Sequence, residues 1–411
     1  MDVSINKKKD FIWNVLGLTI NAFNSLFFLI IVNRINGEFA GGVFTYAYSL
    51  ICLFYIIGLF YTRTYQVSDV SGKYKNKDYI VSRAISCVMM FIITVITVMI
   101  FQYDTTKSIV IILLCLYRLI EAFADVFLGI LQKEGFLYKA GFSLFIKGIV
   151  ALILFMIVDY VTKDMILSCV TIVFVNLGLF LLYDLKNTRK YIGKEYSFHN
   201  AISILKNSFP VFVFSFLNIY LINSTKYILD FVSDATLQNI YGIILMPGTV
   251  LSLCAQYIIN PYIVPLTDLF KRKKYNEFRR TLLKIIAVIC FLGILCIIGA
   301  YILGIPVLNL IYGIELSKYK TDLLIIILGS IFVALIAVIS SGLTILNKNY
   351  IQMYIYIFSS ILSTVLGIVL INQFKVLGAS LTYLIVMFVQ FIITYIYYNR
   401  FIKKIEGVKV K

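Results

Sequence analysis

The chain has 411 residues, of which 61% are hydrophobic and 14% are charged, and its formal net charge is +17. Average soluble domains carry about 25% charged residues, so this composition cannot cover the surface of a water-soluble globule of this size. It also excludes a disordered chain, and the cysteines, all within apolar runs without a CxxC motif, exclude a disulfide scaffold. A polytopic membrane protein remains, since each span needs about 20 mostly apolar residues.

Apolar runs of spanning length recur along the whole chain. The first follows the basic segment MDVSINKKK and has no small-residue cleavage site after it, which favours an uncleaved helix over a signal peptide. The runs are longer than the roughly 10-residue alternating strands of membrane barrels, so they predict helices. Twelve spans are predicted, at 11–32, 42–62, 79–101, 108–131, 141–158, 165–183, 207–230, 238–266, 281–303, 321–346, 351–372 and 378–398.

The basic residues concentrate in every second predicted loop. With the N-terminus placed inside, the inner segments hold several times more of the 37 Lys and Arg residues than the outer loops do. Cytoplasmic loops of membrane proteins collect Lys and Arg, so we expect both termini in the cytoplasm. Nearly all of the excess charge is then a consequence of topology, and it does not support a nucleic-acid partner.

The longest polar break between spans divides the chain into two halves of six helices each. The predicted organisation is an N-terminal six-helix bundle, a cytoplasmic linker, a C-terminal six-helix bundle and a basic cytoplasmic tail, at 1–183, 184–206, 207–398 and 399–411. At an offset of 199 residues, Asp69 and Asp78 align with Asp268 and Glu277. Six is an even number of spans, so both halves have the same orientation and a parallel repeat of the transporter type is expected.

Charged residues at bilayer depth cost at least about 2.5 kcal/mol on insertion scales, so they normally face a cavity or a partner. The fourth predicted span places such residues on one helical face, at steps of three and four: Arg118, Glu121, Asp125, Gly129 and Gln132. One interpretation is an Arg118–Glu121 pair that only orients the helix. The other is a polar stripe along a water-filled pathway, because one acid is left over after pairing.

Two further spans contain lysines. Lys147 has no acid within helical reach in its own span, so it needs water, a substrate or a partner from another helix. Pairing with Asp125 or Glu121 is the purely structural alternative. In the seventh span, Lys226 and Asp230 stand four residues apart, which fits an ordinary ion pair as well as a functional site.

Two arginines lie at the ends of predicted spans. Arg63 ends the second span and Arg83 starts the third. A long basic side chain near a helix end can extend to the membrane surface, and the sequence favours this explanation for both.

No motif for nucleotide hydrolysis, zinc-dependent hydrolysis or a nucleophilic serine is present, and His199 is the single histidine. We therefore expect a protein that is not an enzyme and that has no cofactor and no metal site.

The run NRINGEFAG after the first span contains an arginine and two glycines. It resembles a loop of polysaccharide flippases of the Wzx-like branch of the multidrug/oligosaccharidyl-lipid/polysaccharide (MOP) superfamily. Segments similar to those of capsule and O-antigen exporters are YTRTYQVSD (61–69), YRLIEAFADVFLGILQ (117–132), NSFPVFVFSFLNIY (207–220), YGIILMPGTV (241–250) and LNLIYG (308–313). The resemblance covers nearly the whole chain.

The resemblance implies an all-α, MATE-like fold of about twelve helices in two bundles around a central cavity. It also implies translocation of undecaprenyl-pyrophosphate-linked oligosaccharide across a bacterial plasma membrane, driven by an ion gradient. Membrane lipid would be a partner, as would the polysaccharide polymerase and glycosyltransferases of the same pathway. The residues this implies for the anionic headgroup are Arg34, Arg63, Arg118, Lys147 and Lys226, and those for ion coupling are Glu121, Asp125 and Asp230.

The alternative is a drug or cation antiporter of the same superfamily, which needs acids to attract its cargo. The charged residues within the predicted spans are not dominated by acids, which favours the flippase. A polysaccharide polymerase would show a large extracytoplasmic loop, and the longest predicted outer loop, at about 304–320, is too small.

Overall fold

The computed structural model describes residues 2–69, 72–346 and 348–407, and helices make up nearly all of them. The α-helices are α1 (Asp2–Leu59), α2 (Thr62–Ser68), α3 (Asn76–Phe101), α4 (Thr105–Lys133), α5 (Leu137–Thr162), α6 (Met165–Leu179), α7 (Lys186–Thr188), α8 (Phe198–Val232), α9 (Ala235–Lys271), α10 (Tyr275–Gly299), α11 (Ile305–Tyr312), α12 (Lys320–Ile345) and α13 (Asn349–Gly407). The π-helical stretches Phe180–Leu185 and Ala300–Gly304 prolong α6 and α10. No strand occurs within these ranges, which confirms the all-α class; residues 408–411 of the predicted tail lie outside them.

Nine of the described helical stretches are long and apolar enough to cross a membrane. Two of them hold two predicted spans each, because α1 is interrupted at Gly37 and α13 at Lys375. The 29-residue helix α4 is also of spanning length, although charged side chains interrupt its apolar sequence. These helices together account for the predicted spans, and the prediction of a polytopic membrane protein is confirmed.

The sequence predicts a loop at 33–41 between the first two spans, but the structure does not have one there. Helix α1 continues through this segment with a kink at Gly37, whose φ of 86° carries no steric penalty for glycine. The last two spans are joined in a similar way at Lys375, where φ is 49°, a backbone conformation that is strained for a residue with a Cβ. After α1, Phe60 and Tyr61 both adopt left-handed conformations and turn the chain into α2.

The repeat predicted at an offset of 199 residues is visible in the helix starts. Lys75 is the N-cap of α3, and Lys274, 199 positions later, is the N-cap of α10. In both helices an acid stands three residues after the N-cap, and the next residue is a fully buried aromatic ring, Tyr79 or Phe278. The N-cap residue, the acid and the buried aromatic ring therefore stand at corresponding positions of the two helices.

The chain forms two compact units, Met1–Ile219 and Tyr220–Lys411, and the division falls within α8. In the first unit α1 lies against α5, and a Cβ added at Gly141 would come within 2.6 Å of the carbonyl oxygen of Trp13. Small residues permit this close approach of helices inside a membrane. In the second unit, residues of α9, α10, α12 and α13 share one apolar core around Phe278.

Within the first unit, the start of α3 is tied to the segment before α8. The fully buried Asp78 accepts hydrogen bonds from the Lys75 N–H at 3.0 Å and the Ser197 N–H at 2.7 Å. It also accepts from the side-chain amide of Asn200 at 3.1 Å. Nearby, a hydrogen bond from Lys75 lowers the pKa of the exposed Glu195 carboxyl. The segment that precedes α8 is therefore anchored to its own unit.

Candidate functional site

Two arginines and one aspartate meet at the end of the second span. Arg63 Nη1 donates to Asp125 Oδ1 at 2.7 Å, and Arg83 Nη2 donates to Asp125 Oδ2 at 2.9 Å. Arg63 also donates to Oε1 of Gln132 at 3.0 Å. The three charged residues, one each from α2, α3 and α4, form the Arg63–Asp125–Arg83 cluster. Because two guanidinium groups share one carboxylate, the cluster keeps one positive charge in excess.

Close packing of α2 on α4 brings Arg63 to Asp125. A Cβ added at Gly129 of α4 would overlap the side-chain amide of Gln66 of α2. That amide in turn donates to the carbonyl oxygen of Val126 at 3.2 Å. Helix α2 therefore covers the later part of the polar face of α4, from Asp125 to Gln132.

Arg83 is fully buried, whereas Arg63 keeps 25% of its side chain exposed. Arg83 Nη1 donates to the carbonyl oxygens of Gly58, at 3.2 Å, and Leu59, at the end of α1. The last carbonyls of a helix lack partners within the helix and carry partial negative charge. Arg83 therefore neutralises Asp125 and the end of α1 together, and Arg63 is the guanidinium that solvent can reach.

A cavity of about 480 Å³ lies beside the cluster, with Arg63 and Asp125 in its wall. This volume is within the range of about 300–1,000 Å³ that is typical of small-molecule sites. The other polar residues of the wall are Tyr55, Tyr61, Thr64, Ser68 and Gln132. Hydroxyl and amide groups beside a guanidinium suit an anionic group that carries further polar substituents.

Arg118 is enclosed by aromatic rings. Its guanidinium carbon lies 5.0, 5.1 and 5.4 Å from the ring centroids of Tyr48, Tyr55 and Tyr117. Nη1 donates to Glu121 at 2.6 Å and Nη2 donates to the Tyr48 hydroxyl. The Arg118–Glu121 pair, one of the two interpretations of the sequence, is therefore present, and it is neutral overall. Tyr55 belongs both to this cage and to the wall of the cavity.

Lys147 is buried and forms an ion pair with Asp184, so the sequence-based suggestion of an acid from α4 is wrong. Ser143 donates to the other carboxylate oxygen at 2.5 Å. Asp184 stands in the π-helical stretch Phe180–Leu185, which continues α6 past the predicted end of the sixth span. The sequence places Asp184 in the linker, and for that reason sequence reasoning did not identify Asp184 as the partner of Lys147.

Three further predicted site residues belong neither to the cluster nor to the Arg118–Glu121 and Lys147–Asp184 pairs. Arg34 is exposed on α1 just before the kink at Gly37, and from that kink α1 runs roughly 33 Å to its end at 1.5 Å per residue. Lys226 is buried and Asp230 is half-buried on α8, in the second unit. Each of the three has interactions of its own. The roles that the resemblance implies for them stay predictions.

Sequence reasoning missed Arg83 as a site residue. Arg83 is fully buried in an ion pair, so the explanation by extension to the membrane surface is wrong for it. One signal was available: the unpaired acid of α4, Asp125, required a cation from another helix.

Within the described ranges, no group of three or more His, Cys, Asp or Glu side chains comes together that could hold a metal ion. The cysteines are free thiols, three of them buried in the apolar interior of the first unit: Cys87, Cys115 and Cys169. They behave as small apolar side chains in the packing.

Comparison with known proteins gives one similar sequence and several similar structures. No family model matches the chain. The capsular polysaccharide biosynthesis protein CapF of Staphylococcus aureus is 27% identical over 407 residues, which cover 95% of this chain and 99% of CapF.

The similar structures are membrane transporters. An inward-facing multidrug resistance MATE family transporter of the MOP superfamily gives a TM-score of 0.73 at 12% identity, over 96% of this chain and 99% of that one. The lipid II flippase MurJ in an inward closed conformation gives 0.69 at 15% identity, over 95% of this chain and 86% of MurJ. The chain is thus a multi-pass membrane protein with a MATE-like fold. The resemblance predicted from the sequence is confirmed at the level of a capsular polysaccharide biosynthesis protein, CapF, and of this shared fold.

Proposed function

We propose that this chain is a flippase for undecaprenyl-pyrophosphate-linked oligosaccharide repeat units. It moves them from the cytoplasmic to the outer leaflet of a bacterial plasma membrane by alternating access, coupled to an ion gradient. The observation that carries the proposal is the Arg63–Asp125–Arg83 cluster, whose excess positive charge borders a cavity with polar residues in its wall, at the end of the second span. The similarity to CapF, a capsular polysaccharide biosynthesis protein, supports the class of substrate.

The physical argument concerns the pyrophosphate. An anion in a low-dielectric interior is very costly unless a cation compensates it, whereas a prenyl tail can stay in the lipid. Only the headgroup and its sugars then need a polar route. Arg63 supplies a partly exposed guanidinium, and the hydroxyl and amide groups of the same cavity suit sugar hydroxyls. With both termini in the cytoplasm, the cavity lies at the cytoplasmic end of the second span, where substrate enters.

The other predicted site residues receive different weights in this proposal. Arg118 and Lys147 are engaged by Glu121 and Asp184, so they support the shape and charge of the unit around the cavity. Arg34 and Lys226 are proposed as later contacts of the headgroup. The proposed ion-coupling acids are Glu121, Asp125 and Asp230.

A flipping assay tests the proposal. The full chain is reconstituted in vesicles with a fluorescent polyprenyl-pyrophosphate oligosaccharide, and the labelled lipid that reaches the opposite leaflet is measured with and without an ion gradient. We expect flipping by the wild type and at least a tenfold loss in Arg63→Ala. Arg272→Ala, which removes an exposed arginine paired with Asp268, is the matched control and retains flipping. A wild-type chain that moves no labelled lipid under any gradient contradicts the proposal.

A drug or cation antiporter is the second candidate, because the MATE transporter shares the fold over nearly the full length. Such a protein changes the susceptibility of cells to cationic dyes when it is deleted or overexpressed. The excess positive charge of the cluster disfavours cationic cargo. Unchanged dye susceptibility, together with cytoplasmic accumulation of the lipid-linked unit on deletion, separates the two functions. The polymerase and glycosyltransferases of the same pathway are the proposed protein partners.

A further inference from the structure

Asp125 occupies the position on Arg63 that an anionic ligand would take. Asp125 Oδ1 accepts from Arg63 Nη1 at 2.7 Å, and both residues belong to the wall of the cavity. Arg63 Nη2 donates to Gln132 Oε1 at 3.0 Å, so a phosphate group that binds both Nη atoms in a bidentate manner must displace Asp125 from Nη1 and the Gln132 amide from Nη2. In this structure the carboxylate of Asp125 is therefore the anion that binds Arg63 in the cavity wall.

Arg83 still forms an ion pair with Asp125 after Asp125 has been displaced from Arg63. Asp125 Oδ2 accepts from Arg83 Nη2 at 2.9 Å, whereas the other carboxylate oxygen, Oδ1, accepts from Arg63. Arg83 is fully buried and fixed by the carbonyl oxygens of Gly58 and Leu59. Loss of the bond to Arg63 thus leaves Asp125 paired, and no unpaired buried charge is created.

We propose an anion exchange at this cluster: the phosphate-bearing headgroup displaces Asp125 from Arg63, while Arg83 retains Asp125. Arg83 is then a positioning residue that sets the anion affinity of Arg63 without contacting the ligand. This inference rests on the proposed function for the identity of the ligand, but the chemistry it needs is only a phosphate or pyrophosphate group. That group has two sources, a prenyl-linked headgroup and an anionic phospholipid of the bilayer.

The exchange predicts an order of affinities that simple loss of packing does not. Asp125→Asn removes the competing carboxylate, so pyrophosphate binds at least tenfold more tightly than to the wild type. Arg83→Gln leaves Asp125 wholly to Arg63 and cancels the excess charge, so binding falls at least tenfold. The double variant Arg83→Gln/Asp125→Asn has no unpaired buried charge and frees Arg63, so it binds at least as tightly as the wild type. Arg63→Gln abolishes binding in every background.

The measurement is titration calorimetry of the full chain in phosphatidylcholine nanodiscs with inorganic pyrophosphate, after thermal unfolding has shown which variants are folded. The double variant carries the test if either single variant fails to fold. Restored binding in the double variant supports the exchange. If the double variant binds more weakly than the wild type, or a folded Asp125→Asn variant binds no more tightly, the exchange is wrong.

Two comparisons separate the sources and the hypotheses. Once the order of affinities has been found, weaker pyrophosphate binding in nanodiscs that contain phosphatidylglycerol identifies bilayer lipid as a competitor for the same site, and unchanged binding identifies a site for the prenyl-linked headgroup. A wild-type chain that shows this order of affinities but flips no labelled oligosaccharide supports the exchange and overturns the proposed function. A chain that flips labelled oligosaccharide without this order of affinities supports the proposed function and overturns the exchange.

Discussion

Arg83 of α3 and Asp125 of α4 form an ion pair between two spans, with Arg83 Nη2 2.9 Å from Asp125 Oδ2; Arg83 is fully buried and Asp125 keeps 16% of its side chain exposed. Removal of one member of a buried pair leaves the other charge uncompensated and costs about 3–5 kcal/mol, although the intact pair itself adds little net stability. Variants of this pair therefore allow the free energy of unfolding and the affinity for anions to be measured as two separate effects.

Asp125→Ala is expected to lower the free energy of unfolding by about 3–5 kcal/mol, because Arg83 then stays buried without a carboxylate. Reversible unfolding in detergent micelles, followed by the loss of helical signal with denaturant, measures the change. The matched control is Asp268→Ala, which removes an exposed carboxylate paired with Arg272 and costs little. Equal stability of the two variants would contradict the dependence of the buried Arg83 on Asp125.

Lys147→Ala is predicted to reduce stability as well as transport. The headgroup role that the resemblance implies for Lys147 predicts a loss of transport, and the ion pair with the buried Asp184 adds a loss of stability. The cost is about 3–5 kcal/mol for the same reason as above. Lys147→Met/Asp184→Asn removes both charges, and it should recover at least half of the lost stability. If the double variant is less stable than Lys147→Ala, Asp184 has another role.

Arg118→Lys should be a poor substitute despite its equal charge. Lysine retains a cation for Glu121 but loses the planar guanidinium that packs among three tyrosine rings. Cation–π contacts of this kind are worth about 0.5–2 kcal/mol each, so we expect a loss in that range. Thermal unfolding of Arg118→Lys beside Arg272→Lys, an exposed site, measures it. A midpoint equal to the wild type would show that the cage adds nothing to charge pairing.

Asp78→Ala and Glu277→Ala form a matched pair, because the two acids stand at corresponding positions of the repeat. Asp78 is fully buried and accepts three hydrogen bonds, whereas Glu277 is exposed and pairs with Lys274. Hydrogen bonds to a charged group contribute about 1.5–3 kcal/mol, so Asp78→Ala should lower stability by at least that amount. Glu277→Ala should change it little. Proteolysis between α7 and α8 should accelerate in Asp78→Ala alone.

Gly141→Ala should disturb the packing of α5 on α1. Its new Cβ would meet backbone atoms of Trp13 and Asn14, which cannot rotate away, and such overpacking costs about 1–3 kcal/mol. Gly178→Ala in α6 is the control, because no other atom lies within 4 Å of its added Cβ. Alanine favours a helix over glycine, so Gly178→Ala should be neutral or slightly stabilising. The difference in unfolding midpoint between the variants isolates the close approach.

The amino-acid sequence by itself determined the class of this protein and its repeat. Long apolar runs can satisfy their backbone hydrogen bonds in a membrane only as helices, so the spans were predictable from composition and length. The start signals of α3 and α10 are local, and their offset of 199 residues was therefore visible in the sequence. The polar face of α4 was visible for the same reason, because helical periodicity is a local property.

Only the tertiary structure decided which charges meet. Asp125 takes its cations from α2 and α3, and Lys147 takes its acid from the extension of α6. Partners on different helices have no fixed spacing in the sequence, since their distance depends on how the helices pack. The burial of a side chain also depends on packing. Arg63 and Arg83 both lie at the ends of predicted spans, yet Arg63 on α2 is partly exposed, whereas Arg83 is enclosed by the end of α1. Packing therefore determines which arginine a ligand can reach.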